Sequence, residues 1–396
     1  MQDVGTAVNS AMAPFDYQPR TRLVFGVNTL DRTGEIVREL GVRKILLVTD
    51  AGIVAAGHVA HLIKTLAADG VSAVVFDKVR ENPTTRDVDA CLAVAREAKI
   101  EALIGLGGGS SMDTAKGCNF LLTNGGQMKD YWGVGKATRP MLPLVAIPTT
   151  AGTGSECQSA ALIADEHTHQ KMACLDLKAT ARVAILDPAL TISQPPRVTA
   201  CTGIDAIAHA VETAVTKKRN PFSVMCSHEA FKLLMPNLPR VIENPRDSDA
   251  RGCMLLGAAF AGTAIENSML GAAHSAANPL TAHFNVAHGQ AVGMMLPHVI
   301  RFNAVDERTR LAYAQLASAP EIACVSDGLD QAIDALVQEI ERLLTLAEMP
   351  TRLRECGVDS GKLALLAAEA GKQWTANFNP RPITEADFLA LYEAAF

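Results

Sequence analysis

Residues able to do chemistry gather in the second half of the chain. The stretch GIDAIAHAVE, residues 203–212, sets Asp205 and His209 four apart inside an apolar helical pattern. On a helix they stand one turn above the other, with about 6 Å between Cβ atoms. A carboxylate and an imidazole on one face are two converging metal donors, the acid-bearing counterpart of the paired histidines in H-E-x-x-H. Two donors seldom complete a site. Further imidazoles come from GAAHSAANPLTAHFNVAHGQ, which carries His274, His283 and His288. On one continuous helix His274 and His288 would lie about 21 Å apart along the axis, too far to share an ion whose bonds are about 2 Å long. Asn278-Pro279 is expected to break that helix and FNVAHGQ to supply a turn, so that the chain returns and the imidazoles meet. One oxygen and three nitrogen donors with room for a substrate suit Fe²⁺ or Zn²⁺. Singly, each histidine reads as a core or capping residue; their combination in an apolar setting argues for a site.

The first half carries a different signal, GLGGGSSMDTAK from Gly105 to Lys116. It follows an apolar run that reads as a strand and opens a helical pattern. Glycines there let backbone amides approach a phosphate, and the helix N-terminus adds its positive end, which makes a pyrophosphate cradle. The spacing is neither the Rossmann G-x-G-x-x-G nor a Walker loop, and a turn that needs glycine only for its shape would look the same. Asp50 closes the run KILLVTD, where a carboxylate can accept from an adenosine ribose. In an ordinary dinucleotide fold that acid follows the glycine loop by about 20 residues. Here it precedes it, so either Asp50 is a helix cap or the sheet is wired differently.

Elements to position these groups are visible in the pattern. Apolar runs at 44–50, 72–77, 101–110, 143–150 and 182–188 read as strands, with helical patterns near 53–68 and 86–97 between the first three. That alternation predicts a parallel sheet covered by helices. After Pro195-Pro196 long Ala-, Leu- and His-bearing stretches run almost to Phe396. The chain of 396 residues is therefore divided into an α/β dinucleotide-binding domain over 1–190, with a Rossmann-like parallel sheet, and an all-α domain over 191–396. A formal net charge of −6 offers no basic field for nucleic acid or an anionic membrane. The longest uncharged apolar run, residues 254–265, falls short of the roughly 18 residues a membrane span needs. MQDVGTAVNSAMAPFDYQPR lacks the form of a secretion signal, and nine cysteines without a C-x-x-C pair suit free thiols in a reducing cytoplasm.

Taken together, LVFG, VTD, NPTT, GGGSSMDTAK, IPTTAGTGSE, GIDAIAHAVE, AHGQAVGMMLPHVIRFN and the closing NPRPITEADFLALYEAAF span nearly the whole chain. With these motifs the sequence resembles the iron-containing (group III) alcohol dehydrogenase family. The resemblance implies a dehydroquinate synthase-like architecture with the active site in the cleft between the halves, and commonly a homodimer or higher homo-oligomer. It assigns Asp205, His209, His274 and His288 as metal ligands. It places NAD(H) against Asp50, Asn82, Gly107, Gly108, Gly109, Ser110, Asp113, Thr149, Thr150, Thr153, Ser155 and Lys171. No catalytic side chain beyond the metal ligands is singled out.

Two positions depart from the family's pattern. Asn278 stands where many members carry a histidine near the nicotinamide, and an amide cannot relay a proton. Asn28 stands where glycine is frequent. The reaction the resemblance implies is reversible hydride transfer between a small alcohol and NAD, with the substrate oxygen on a divalent metal that acts as a Lewis acid. Ile265, Leu270, Trp132 and Phe378 are candidates for a modestly apolar pocket and read equally well as core. A glycerol dehydrogenase, a maleylacetate reductase and a dehydroquinate synthase-like lyase are the neighbouring alternatives. The lyase would need basic residues around the metal, and the ligand segments carry none. A binding protein on a degenerate enzyme fold would not need all four ligands.

Overall fold

The computed structural model describes residues 13–168 and 170–396. The N-terminal twelve residues, part of the stretch read for a secretion signal, lie outside them. The chain forms two compact units. One consists of Pro19–Thr199 with Asn244–Gly262, and the other of Ala200–Glu243 with Thr263–Phe396 and the described residues up to Gln18. A short excursion from the helical half thus groups with the sheet.

The first unit is built on the runs of β-branched and apolar residues. Strands β1 (Arg22–Phe25), β2 (Lys44–Val48), β3 (Ser72–Phe76), β4 (Ala102–Gly107), β5 (Gly133–Val134), β6 (Leu144–Pro148), β7 (Ala160–Ala164), β8 (Lys171–Leu175) and β9 (Val183–Leu186) follow in chain order. Six of them make one wholly parallel sheet in the order β1-β9-β6-β4-β2-β3. Strand β2 shows why it is central. Leu46 and Val48 face one core with the helices Thr85–Ala98 and Gly109–Asn124, while Ile45 and Leu47 face the other with Thr33–Glu39 and His58–Ala68. A strand buried on both faces reads as a continuous apolar run, and KILLV is one. The five expected strands and the helices between them are present. The short edge strand β1 and the second sheet, β5-β8-β7, have no counterpart in the sequence reading.

The wiring answers the question that Asp50 raised. From β3 the chain crosses back over β2 to enter β4, so the strand order reverses between β2 and β4. Ligands of open parallel sheets bind outside the carboxyl ends of the strands at such a point. Asp50 follows β2 and the glycine loop follows β4, side by side. The acid strand and the glycine strand are neighbours, as in the standard fold, but their order along the chain is inverted.

The second unit is helical, and no strand follows Leu186 among the described residues. The helix Pro196–Thr213 carries Asp205 and His209, Ala272–Phe284 carries His274, and His288–Asn303 begins at His288. The expected break at Asn278-Pro279 does not occur: Pro279 lies inside an uninterrupted helix. The chain turns back later, at Asn285, whose φ of 52° is left-handed. Asparagine tolerates that region better than most residues do. Asn278 is accordingly not a cap; its Nδ2 donates to Gln373 Oε1 at 3.0 Å. Asn28 is left-handed too, at φ 62°, which explains a position where glycine also fits. No single helix among the described residues is long and apolar enough to cross a membrane.

Candidate metal centre and dinucleotide cradle

Three helices bring the implied ligands together. Asp205 and His209 project from one face of Pro196–Thr213, as i,i+4 spacing requires. His274 comes from the first turn of its helix, and His288 is the first residue of the next. His288 reaches the site because Gly289 lets its backbone lie against the first helix. A Cβ there would stand 2.0 Å from Cys201 O and 3.3 Å from Asp205 Cβ. Asp205 Oδ1 lies 3.4 Å from His209 Nε2, 3.3 Å from His274 Nε2 and 3.8 Å from His288 Nε2. The donor atoms of Asp205, His209 and His274 all fall within 4.8 Å of one another. Their side chains are 5–7% exposed, against 31% for His288, so the cluster opens on the His288 side.

The electrostatics fit a cation. Asp205 Oδ1 and His274 Nε2 are buried and have no hydrogen-bond partner. His274 Nδ1 lies 2.5 Å from Glu212 Oε2, a hydrogen bond that puts the proton of a neutral ring on Nδ1 and leaves Nε2 an acceptor. Two acceptors then face each other at 3.3 Å with no hydrogen between them, which a divalent ion resolves. Failing an ion, a second proton must. Burial opposes charge on His274, but the Glu212 and Asp205 carboxylates outweigh it and hold the imidazole up at about 9. Burial likewise opposes the Asp205 charge, and the surrounding imidazoles overcome it and keep the carboxyl below the usual range. His283 does not join the cluster; its Nε2 meets Glu369 Oε2 at 2.8 Å on the surface.

The glycine loop of the first unit has the shape of a cradle. The helix Gly109–Asn124 starts directly after β4 with Gly108 as its cap. A Cβ on Gly109 would stand 2.9 Å from the Thr153 side chain, and one on Gly107 2.4 Å from Ser111 Oγ and 3.4 Å from Asp50 Oδ2. Gly107, at φ 145°, also has a backbone that favours glycine. Two buried hydroxyls beside the loop, Ser111 Oγ and Thr150 Oγ1, have no partner, as befits groups that meet a ligand. Asp50 is a helix cap with a second oxygen turned to the glycine loop. Its Oδ1 caps the helix Ala51–Ala55 through Ile53 N at 3.0 Å, and its Oδ2 faces Gly107.

The remaining candidates are placed as follows. Thr149 is buried; its amide donates to Gly107 O at 2.9 Å and its hydroxyl accepts from Gln194 Nε2 at 3.1 Å. Ser155 Oγ donates to Asp113 Oδ1 at 3.1 Å. Burial raises the Asp113 carboxyl despite Lys116 and Lys171. Ser110 lies in the first turn of the cradle helix, Asn82 is left-handed at φ 52° after β3, and Lys171 opens β8, exposed. Of the pocket candidates, Ile265 is buried, Leu270 is half-buried and Phe378 packs edge-on against Trp374. Trp132 is 42% exposed and is not core. The sequence reading missed Glu212 and the role of Lys116. Glu212 stands seven residues after Asp205 on the same helical face, a spacing that could have marked it.

The family model for iron-containing alcohol dehydrogenase matches residues 19–188, and that for the C-terminal part of the Fe-containing alcohol dehydrogenase family matches 199–396. The chain belongs to the iron-containing alcohol dehydrogenase family. Its relatives there include an NAD-dependent methanol dehydrogenase of Bacillus methanolicus, 32% identical over 94% of this chain and 97% of the relative. A 1,3-propanediol dehydrogenase of Klebsiella pneumoniae is 33% identical over 96% and 99% of the two chains. The crystal structure of a 1,3-propanediol oxidoreductase superposes with a TM-score of 0.93 over 97% of this chain and 100% of that one, at 32% identity. Like other members of the iron-containing alcohol dehydrogenase family, the protein is an oxidoreductase.

Proposed function

We propose that the protein transfers hydride reversibly between a small alcohol and NAD, using a divalent metal held by Asp205, His209, His274 and His288. The observation that carries this reading is the buried pair Asp205 Oδ1 and His274 Nε2, 3.3 Å apart and neither with a hydrogen-bond partner. Fe²⁺ is the ion we assign, with Zn²⁺ compatible with the same one-oxygen, three-nitrogen set. When bound, the ion supplies Lewis acidity to the alcohol oxygen and the nicotinamide supplies the hydride acceptor.

The chain's own residues do the rest. Asp205 brings the negative charge that favours a cation, and the three imidazoles fix its position. Substrate enters on the side of His288, the least buried ligand. The cradle of Gly107, Gly108 and Gly109 with Thr150 and Thr153 takes the pyrophosphate. The free oxygen of Asp50 accepts from the ribose, and its charge disfavours a 2′-phosphate. Asn278 is occupied with Gln373 and has no titratable proton, so the alcohol proton does not leave through it. The names of the relatives point to small primary alcohols and diols as the substrate class. The cysteines, most of them buried, suit a reducing cytoplasm, and we expect a homo-oligomer there.

The test is an NADH-linked screen of small alcohols, diols, aldehydes and ketones with Fe²⁺- and Zn²⁺-loaded protein, alongside metal analysis. Turnover that needs the ion is expected. Stoichiometric metal and tight NADH binding with no hydride transfer to any of these classes would overturn the reading.

A further inference from the structure

The metal reading leaves one buried acid beside the ligands without a task. Glu212 is 3% exposed, and its two oxygens serve two different donors. Oε2 accepts from His274 Nδ1 at 2.5 Å, and Oε1 accepts from Ala273 N at 2.7 Å. The helix bearing His274 begins at this point, with Gly271 as its cap. The preceding amide, Ala272 N, donates to Asn379 Oδ1 at 3.3 Å. Asn379 is itself held by Asn303 Oδ1 and Arg381 O, both at 2.7 Å. A Cβ on Gly271 would come within 3.0 Å of Glu212 Oε1 and 3.1 Å of Asn379 Oδ1. The acid is therefore clamped at both oxygens and enclosed.

We propose that Glu212 is a positioning residue that selects the metal-binding tautomer of His274, an inference that rests on the metal reading above. By accepting Nδ1–H it leaves the Nε2 lone pair aimed at Asp205 Oδ1, where an ion would lie. By accepting Ala273 N–H as well, it fixes the ring to the start of its own helix. Only a carboxylate can do both, because both partners are donors and it offers two acceptor oxygens. A glutamine of the same size has one. If its oxygen serves Ala273, its NH₂ faces Nδ1, which must become the acceptor, and the proton moves to Nε2 and blocks coordination. If its oxygen serves Nδ1–H, its NH₂ opposes the Ala273 amide.

The experiment compares wild type, Glu212→Gln and Glu212→Asp, each loaded with Zn²⁺ or Co²⁺. The expected result is release of Zn²⁺ to a chromogenic chelator about 10–100-fold faster from Glu212→Gln. A shifted Co²⁺ ligand-field spectrum should accompany it, NADH affinity should stay unchanged, and Glu212→Asp should fall between the two. A purely structural role would lower the melting temperature and leave release rate and spectrum alone, which overturns the proposal. Should the variants fail to fold, nitrogen-15 histidine spectra of Zn²⁺-loaded wild type decide. The proposal requires His274 protonated at Nδ1 and coordinated through Nε2, and coordination through Nδ1 refutes it. Wild type that takes up no ion overturns the metal reading and this inference together. An ion held equally well by wild type and Glu212→Gln overturns this inference alone.

Discussion

Replacing Lys116 by Met keeps most of the side chain's volume and removes its charge. The ammonium is fully buried and donates to Ser155 O at 2.7 Å, Ser155 Oγ at 3.0 Å, Gln158 O at 2.8 Å and Ala160 O at 3.0 Å. Three hydrogens thus serve four acceptors, and they staple the cradle helix to the loop that carries Thr153 and Ser155. Met leaves these carbonyls without the donor, at about 1–3 kcal/mol each if nothing relaxes. It also deprives the Asp113 carboxyl of the cation that partly offsets its burial. These losses share one site and do not add, so the comparison is with breaking a buried charge pair, about 3–5 kcal/mol. At a urea slope of about 3 kcal/mol per molar the midpoint falls by roughly 1–1.7 M. Trp132 lies in the same unit as Lys116 and Trp374 in the other, so fluorescence in a Trp374→Phe background reports the right unit. NADH affinity should fall with the loop while metal content holds. A midpoint within about 0.3 M of the parent, roughly 1 kcal/mol, would refute the account of Lys116.

Three further outcomes follow from the sites. His274→Ala and His288→Ala should abolish activity and lower metal content while NADH binding persists, and His283→Ala, which loses only the exposed pair with Glu369, should be mild; metal loss confined to His283→Ala would reverse the ligand assignment. Asp50→Ser keeps a helix cap and removes the charge, so the preference for NAD(H) should narrow chiefly through tighter NADP(H) binding, and an unchanged cofactor ratio in steady-state kinetics would exclude Asp50 from the ribose. Burial raises the Glu156 carboxyl from 4.5 to about 7. The folded state therefore holds that proton longer than the unfolded chain, and the stability it contributes below pH 4.5 is lost as the pH rises through 7, about 3 kcal/mol in all. Urea titrations at pH 5 and 8 should show that loss in the parent and not in Glu156→Gln, and equal pH dependence in both would show that Glu156 does not titrate there.

The parts of the fold that could be read in advance share a physical cause. KILLV and ALIGLG are buried on both faces, so burial alone selects a strand there. The edge strand RLVF has one buried position in four, and AALIA in the second sheet is only alternately buried, so neither stands out from its surroundings. Asp205 and His209 could be paired because i,i+4 geometry is local. Lys116 was visible in the sequence but its acceptors lie 39–44 residues on, and no local rule connects them.

Pro279 is the instructive failure. A proline removes one amide and disfavours helix at the residue before it, at about 3 kcal/mol in an isolated helix. Here Ala276, Ala277 and Leu280 on either side are fully buried, and Tyr392 Oη donates to Ala276 O at 2.7 Å. Packing along the helix outweighs the local cost, the helix continues, and the reversal moves to Asn285. The consequence for the site is geometric. Because Ala272–Phe284 runs uninterrupted through 278, the amide four residues beyond His274 keeps the ligand's own face of the helix. The packing that defeats the proline rule thus also fixes which face of the helix position 278 occupies.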